Sequence, residues 1–212
     1  MKVLDEDETA AILEAAKGSR LYMPVLLAVT TGMRRGEILG LHWKDVDLAA
    51  DTVTVRCSLE EARGGVRFKE PKTASGRRTL RLLPLTVEAL KRHRVEQAEN
   101  RLRMGPVYED NGLVVCREDG RPWRPDRFST EFIMFIDELE IPRVRFHDLR
   151  HTHATLLLHQ GISPKVVSER LGHSSTSFTL DVYGHVTPVM EEEAVRAVDA
   201  ALRRAMEDHK SL

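Results

Sequence analysis

The chain has 212 residues, of which 42% are hydrophobic, 31% charged and 5% aromatic. This length and composition indicate one soluble globular domain, or one domain with appendages, and exclude a disordered chain. No apolar run is long enough to cross a membrane, and the acidic N-terminus lacks the apolar core of a signal peptide. Two distant cysteines, Cys57 and Cys116, lack the spacing of metal ligands, so we expect a reducing, cytoplasmic location.

The net charge of −1 conceals a basic region between residues 56 and 103. This region carries 13 Lys and Arg against 6 Asp and Glu, whereas residues 1–17 carry 2 against 5 and residues 188–212 carry 4 against 6. A local basic surface attracts a phosphate backbone whatever the net charge of the protein. A solvated charged face without a partner is the alternative interpretation.

Apolar periodicity, caps and Gly or Pro stops predict a chain made mainly of helices. We place Pro24 in the first turn of its helix, expect Thr86 to be an N-cap, and predict a loop over 104–124. The predicted helices cover residues 5–17, 20–30, 34–41, 86–103, 125–138, 147–160, 164–171, 175–183 and 189–208.

The remaining regular structure is predicted to be a small sheet. Residues 52–58 alternate and are β-branched, which is typical of a strand. Residues 66–70 and 77–83 indicate two further strands, joined by a turn that contains Gly76. Three strands are a common minimum for an independent sheet. The predicted fold class is therefore mainly α with a small antiparallel β-sheet, an α+β arrangement.

Polar groups concentrate in residues 146–185, FHDLRHTHATLLLHQGISPKVVSERLGHSSTSFTLDVYGH. His147 and Arg150 lie three positions apart, so they share one face of their predicted helix. A planar guanidinium beside an imidazole suits an anionic oxygen cluster, because its fork can hold two phosphate oxygens. The alternative is that Arg150 forms an ion pair with Asp148 or Glu169 while His147 caps the helix.

The histidines of this stretch also raise the question of a metal site. His147 and His151 are four positions apart, but zinc needs further ligands, and an Arg one turn away would repel the ion. No Glu occupies the position found in the metalloprotease helix motif. We therefore predict no metal, with a zinc-dependent hydrolase as the alternative that metal content would reveal.

Tyr183 is a candidate nucleophile only in the company of cations. A phenol with a pKa of about 10 is a poor nucleophile at neutral pH, and nearby positive charges would lower that pKa. The same charges would stabilise the extra negative charge of a pentacoordinate phosphate. A tyrosine buried in a core or an interface is the alternative.

Four sequence segments together resemble the catalytic domain of the tyrosine recombinase (phage integrase) family. The first, TGMRRGEILGLHWKDVD, matches the family's first-arginine box and places its arginine at Arg34 and a supporting acid at Glu37. The segment PKTASGRRTLRLLP matches the β-hairpin box and supplies Lys72. The last two segments, FHDLRHTHAT and LGHSSTSFTLDVYGHV, supply His147, Arg150, His173 and Tyr183.

The resemblance implies the core of a DNA breaking and rejoining enzyme. Tyr183 would attack the scissile phosphate to form a 3′-phosphotyrosine while Arg34 and Arg150 hold the phosphate oxygens. Lys72 would protonate the leaving 5′-oxygen, His147 would serve as acid and base toward the tyrosine, and His173 would orient the phosphate. The implied reaction needs no metal or other cofactor, because the covalent intermediate conserves the bond energy.

The resemblance also implies partners and a domain plan. The partner would be a double-stranded DNA recombination site, bound by a homo-oligomer that is a tetramer in the full-length family, or by a monomer if the domain is isolated. Residues 1–187 would form the catalytic domain and 188–212 an amphipathic tail that packs in cis or on a neighbouring protomer, with the N-terminal core-binding domain absent. Candidate contacts to the DNA backbone are Arg35, Lys69, Arg77 and Arg78.

Two other functions fit the same residues. A type IB topoisomerase would share the chemistry without exchanging partner strands, although the two histidines favour a recombinase. A DNA-binding regulator without catalysis would have lost at least one of the six catalytic groups, and all six are present in the sequence.

Overall fold

The computed structural model describes residues 2–70 and 76–172, together with residues 196, 198, 199, 203 and 206. The helices in these ranges are α1 (Glu6–Ala16), α2 (Tyr22–Thr31), α3 (Arg35–Leu39), α4 (Pro84–Met104), α5 (Pro125–Asp137), α6 (Asp148–His159) and α7 (Pro164–Leu171). The strands are β1 (Val46–Asp47), β2 (Thr52–Val55), β3 (Ser58–Ala62), β4 (Gly65–Lys69) and β5 (Arg78–Arg81), and short 3-10 turns lie at Trp43–Asp45 and Gly105–Val107. The predicted fold class is confirmed. The helices predicted over 175–183 and 189–208 lie outside the described residues, apart from five single positions.

Local sequence signals account for where most of these helices begin. At α1, Asp5 Oδ1 accepts from the Glu8 backbone N–H at 2.8 Å and Glu8 Oε2 accepts from the Asp5 N–H at 2.9 Å, which completes a capping box. Helices α4, α5 and α7 each begin with proline, whose missing N–H costs nothing at the first helical position. Pro24 lies in the first turn of α2, as predicted.

The predicted N-cap at Thr86 is wrong. Helix α4 begins at Pro84, so Thr86 lies inside its first turn, where it is fully buried. Within the described part of the chain its hydroxyl has no hydrogen-bond partner. The proline presets the backbone for a helix three residues earlier than an N-cap at Thr86 would, and the helix starts there.

The strands form two separate sheets, where the sequence predicted one. Strand β2 pairs antiparallel with both β1 and β5, and β3 pairs with β4 as a hairpin. The single strand predicted over 52–58 is therefore wrong, because β2 ends at Val55 and β3 begins at Ser58 with a different partner. Val53, Val55 and Leu59 are all buried, so the apolar alternation continues across the break. Alternation shows which face is buried and does not show which strand lies alongside.

An aromatic cluster fixes the segment that leads into α6. Phe146 lies edge-on to Phe128 and Phe132 of α5, with ring centroids 4.7 Å and 5.1 Å away. All three rings are buried in the main hydrophobic core. Rings of this size contribute large apolar areas and favour the edge-to-face geometry. The cluster therefore holds His147, the next residue, at the protein surface where α6 begins.

Two glycines allow the elements around the candidate site to approach closely. A Cβ at Gly36 of α3 would lie 2.3 Å from Ser58 Oγ and 2.7 Å from the Leu59 carbonyl oxygen, so α3 packs directly against β3. Gly32 ends α2 in the left-handed conformation with φ of 66°. A Cβ there would lie 2.6 Å from atoms of both His153 and Leu171. The C-terminus of α2 is thus packed against α6 and α7.

In the described part of the chain, no helix has both the length and the apolar character needed to cross a membrane.

His153 forms a buried polar link between α2, α6 and α7. Its Nδ1 lies 2.7 Å from the Val29 carbonyl oxygen and must donate to it, so Nε2 carries the lone pair that accepts Arg170 Nε–H at 3.2 Å. Burial, and then the positive charge of Arg170, lower the pKa of His153 to about 4. The histidine is therefore neutral in the folded protein at neutral pH.

The depressed pKa predicts a stability change on acidification. The unfolded chain binds the proton near pH 6.5 and the folded protein only near pH 4, so this contribution is complete above pH 6.5 and is lost as the pH falls toward 4. It amounts to about 3 kcal/mol if unfolding is two-state. We expect the difference in unfolding free energy between the wild type and His153→Phe to shrink by this amount from pH 7 to pH 4, as measured by urea denaturation. A difference that is independent of pH would contradict the assignment, and the surface variant His159→Gln should follow the wild type.

Candidate active site

Three arginines from distant parts of the chain converge on the C-terminal end of α7. Arg78 Nε donates to the carbonyl oxygen of Arg170 at 2.7 Å, Arg150 Nη2 to that of Leu171 at 2.8 Å, and Arg34 Nη2 to that of Gly172 at 3.2 Å. The last carbonyls of a helix lack partners within the helix and lie at the negative end of its dipole. Successive carbonyls therefore draw three guanidinium groups together.

Arg150 is fixed most completely. It lies in the first turn of α6, and only 3% of its surface is exposed. Besides its bond to α7, its Nη1 donates to the Gly32 carbonyl oxygen, the C-cap of α2, at 2.6 Å. Two fixed acceptors define the plane of the guanidinium. Asp148, one of the two acids considered as an ion-pair partner for Arg150, pairs with Arg145 instead. Its carboxylate accepts from the Arg145 guanidinium at 3.0 Å and 3.2 Å.

Arg34 is the N-cap residue of α3, and Glu37 of the same turn orients it. Glu37 Oε2 accepts from the Arg34 backbone N–H and Oε1 from Arg34 Nη1, both at 2.8 Å. The Glu37 side chain is 6% exposed, whereas that of Arg34 is 42% exposed. Burial by itself would raise the pKa of Glu37, but the bonds and charges of Arg78 and Arg34 outweigh it and lower the pKa. Glu37 is therefore an anion that holds Arg34 at the surface.

His147 precedes α6 and faces His151 with ring centroids 5.0 Å apart in an edge-on arrangement. Partial desolvation of its ring, and then the positive charge of Arg150, lower the pKa of His147 below its ordinary value. Desolvation and the neighbouring His147 lower the pKa of His151 to about 4. His147 is therefore neutral near pH 7 and can accept a proton. Among the described residues, no three His, Cys, Asp or Glu side chains are grouped so that they could hold a metal ion.

The four candidates for DNA-backbone contacts differ in their surroundings. Lys69 is about one-third exposed and pairs with Glu60 at 2.9 Å, and Arg77 is more than half exposed, 3.9 Å from Glu70. Arg35 donates to Ser129 Oγ. Arg78 is only 8% exposed and is held by Glu37 and α7. The role of these four residues as contacts to the DNA backbone stays a prediction.

The structure brings together four of the residues predicted for catalysis or its support, namely Arg34, Glu37, Arg150 and His147. The positive charges of Arg34 and Arg150 both act on the His147 imidazole. Lys72, His173 and Tyr183 lie outside the described residues, so their roles remain predictions. Two guanidinium groups beside a neutral imidazole can bind the oxygens of a phosphate and take up a proton next to it.

Sequence reasoning missed the residues that support this cluster. Arg170 donates to the carbonyl oxygens of Thr30 and Arg81 at 3.0 Å and 3.1 Å, in addition to His153. Its position just before Leu171 and Gly172, in a segment already singled out, was the only available signal. His153, which accepts from Arg170, is buried and links α2 to α6 and α7.

Comparison with known proteins places this chain in a family. The phage integrase family model matches residues 2–189. The chain is 33% identical, over 94% of its length, to a tyrosine recombinase XerC-like protein of Caldanaerobacter subterraneus subsp. tengcongensis, and the match covers 54% of that protein. It is 33% identical, over 83% of its length, to the ICEBs1 integrase of Bacillus subtilis, with 48% of that protein covered. The chain thus spans about half the length of these relatives.

Solved structures share the fold. The Tn1549 transposon integrase in complex with transposon right end DNA superimposes with a TM-score of 0.79 at 23% identity, covering 93% of this chain and 66% of the other. The XerA recombinase gives a TM-score of 0.71 at 26% identity, covering 93% and 65%. The fold is that of a tyrosine recombinase catalytic domain. The chain belongs to the phage integrase family, which confirms the resemblance found in the sequence.

The site makes a prediction about its two histidines that needs no DNA. NMR titration of the imidazole resonances should give a pKa below 6.5 for His147 and of about 4 for His151. Because the charge of His147 contributes to the shift of its neighbour, His147→Asn should raise the pKa of His151. Titration of His151 at or above 6.5 in the wild type would show that the pair is not desolvated as the structure has it.

Proposed function

We propose that this chain is the catalytic domain of a site-specific DNA recombinase that cleaves and rejoins DNA through a 3′-phosphotyrosine. The observation that supports the proposal most is the pair of arginines, Arg34 and Arg150, held on neighbouring carbonyls at the end of α7. Membership of the phage integrase family supports it independently. The proposed partner is a double-stranded recombination site, bound by an oligomer of the chain in the cytoplasm.

In the proposed reaction, the Tyr183 oxygen attacks the scissile phosphorus and the bond from phosphorus to the 5′-oxygen breaks. His147, which is neutral near pH 7, takes the phenol proton, and Lys72 gives a proton to the departing 5′-oxygen, which leaves as a hydroxyl. Arg34 and Arg150 balance the charge on the non-bridging oxygens, which is greatest in the pentacoordinate transition state. Attack by the 5′-hydroxyl of a partner strand on the phosphotyrosine reverses these steps, so the number of phosphoester bonds is conserved.

The fixed geometry of the arginines bears on how much catalysis they provide. A donor that is already oriented by protein acceptors needs no reorganisation when charge develops on the phosphate. Arg150 has two such acceptors, in α2 and α7, and Arg34 has Glu37 and α7. The two groups therefore meet the phosphate as a preformed cationic surface, with Glu37 as the buried anion between Arg34 and the core.

The proposal predicts a covalent protein–DNA complex that depends on Tyr183. The probe is a pool of random-sequence duplexes with one nick in one strand, so that cleavage near the nick releases a short fragment and traps the adduct. The wild-type chain should give complexes that survive denaturation, and Tyr183→Phe should give none. Sequencing the trapped DNA identifies the substrate for later measurements.

Two results would contradict the proposal. Absence of any adduct with the wild type would contradict the strand-transfer function, and an adduct with Tyr183→Phe would contradict the choice of nucleophile. The adduct should also form at an unchanged rate in EDTA, because the proposed steps use only side chains of the chain. Tyr22→Phe, which alters a tyrosine in α2, serves as the matched control.

A further inference from the structure

A single buried carboxylate connects the exposed Arg34 to a second arginine. Glu37 Oε1 accepts from Arg34 Nη1 at 2.8 Å and also from Arg78 Nη1 at 3.1 Å. Its Oε2 accepts from Arg78 Nη2 at 2.9 Å. Arg78 therefore donates to both carboxylate oxygens of Glu37 at once. This bidentate geometry is available to arginine and not to lysine.

Arg78 is fixed from more sides than Arg34. Its side chain is 8% exposed, and its Nε donates to the Arg170 carbonyl oxygen at 2.7 Å. Its backbone belongs to β5, where it pairs with Val55 of β2. A guanidinium held by a carboxylate, a helix end and a strand has little freedom to turn. Arg34, by contrast, projects from the N-cap of a five-residue helix.

The position of Glu37 Oε1 then determines where Arg34 lies. The guanidinium groups of Arg34 and Arg78 both donate to this oxygen. The bidentate hydrogen bonds from Arg78 therefore fix the direction in which Oε1 faces Arg34. Loss of Arg78 would leave the buried carboxylate with only half of its present compensation. A buried anion in that condition changes its position or takes up a proton. Either response moves the acceptor that orients Arg34.

We propose that Arg78 is a positioning residue that acts on the scissile phosphate through Glu37 and Arg34 and does not itself touch the DNA. This inference rests on the proposed strand-transfer function. It assigns to Arg78 a role different from the contact to the DNA backbone that its basic character suggested. Replacement of Arg78 should therefore slow cleavage to an extent that depends on the charge of the scissile phosphate. Binding of the duplex should be unchanged.

Single-turnover cleavage of two substrates separates this role from a general structural one. The first is the trapped duplex with an ordinary scissile phosphate, and the second carries a methylphosphonate there, in which a methyl group replaces one charged oxygen. A neutral linkage has less need of a cationic clamp. We expect Arg78→Gln to slow cleavage of the phosphate by about 100-fold relative to wild type, the loss expected from a misplaced catalytic group. On the methylphosphonate the ratio of the two rates should be close to one.

Binding and folding are measured on the same variants. Half-saturation of the duplex should change by less than a factor of about two in Arg78→Gln, because the residue makes no proposed contact with the backbone. The double variant Glu37→Gln, Arg78→Gln removes both buried charges and guards against unfolding of the single variant. It should show the same dependence on substrate. Arg101→Gln breaks an exposed pair with Asp110 and is the matched control with wild-type rates on both substrates.

The outcomes distinguish the inference from the function on which it rests. If the wild type forms no adduct, the proposed function fails and the inference fails with it. If the wild type cleaves and Arg78→Gln cleaves the phosphate at the wild-type rate, only the inference is overturned. Equal losses on both substrates in the folded variants would also overturn it, because Arg78 would then act on something other than the phosphate charge.

Discussion

The C-terminal end of α7 is the interaction on which the rest of the site depends. Three consecutive carbonyls, of residues 170–172, accept from arginines that belong to β5, α6 and the turn before α3. Helix ends need donors from elsewhere, and here the donors are cations, which the negative end of the dipole favours. The bonds satisfy the helix end and, at the same time, assemble charges that would repel one another without it.

The surrounding residues serve this assembly. Hydrogen bonds from Arg170 connect α7 to α2, β5 and His153. Gly32 has no side chain, which allows α2 to approach α6 and α7 closely. Glu37 is the buried anion that compensates Arg78 and Arg34. The result is a site where Arg34 is partly exposed, Arg150 is buried at the neighbouring carbonyl of α7 and His147 is neutral. Such a site has the charge and the donors for one phosphate, and contacts within the protein alone hold it in place.

Much of this arrangement could be predicted from the sequence, because the signals are local or concentrated in motifs. The helix over 147–160 and the prolines at helix starts follow from periodicity and backbone preference, and the structure has α6 at Asp148–His159. Arg34, Glu37, His147 and Arg150 were found through their motifs, and the structure brings them together. The roles of Lys72, His173 and Tyr183 remain predictions from the motifs alone.

What sequence reasoning missed depends on contacts between distant residues. The strand predicted over 52–58 is two strands, because β2 and β3 pair with different strands. The alternation of apolar residues carries no information about which strand pairs with which. Arg78 looked like one more basic residue of a hairpin, and only the approach of Glu37, 41 positions away, gives it a buried partner. Arg170 is similar, because its acceptors lie in α2, α6 and β5. Charge in a sequence does not distinguish a solvated arginine from a buried one.

The most direct test of the central claim is the single-turnover cleavage rate of Arg150→Lys on the trapped duplex. Lysine keeps the positive charge but cannot reach the carbonyls of Gly32 and Leu171 together and present a forked donor to the phosphate. With the variant shown to be folded at the assay temperature, the account predicts a rate at least about 100-fold below wild type, the loss typical of one transition-state donor. Cleavage at close to the wild-type rate would contradict the claim that the oriented guanidinium, and not charge alone, forms the site.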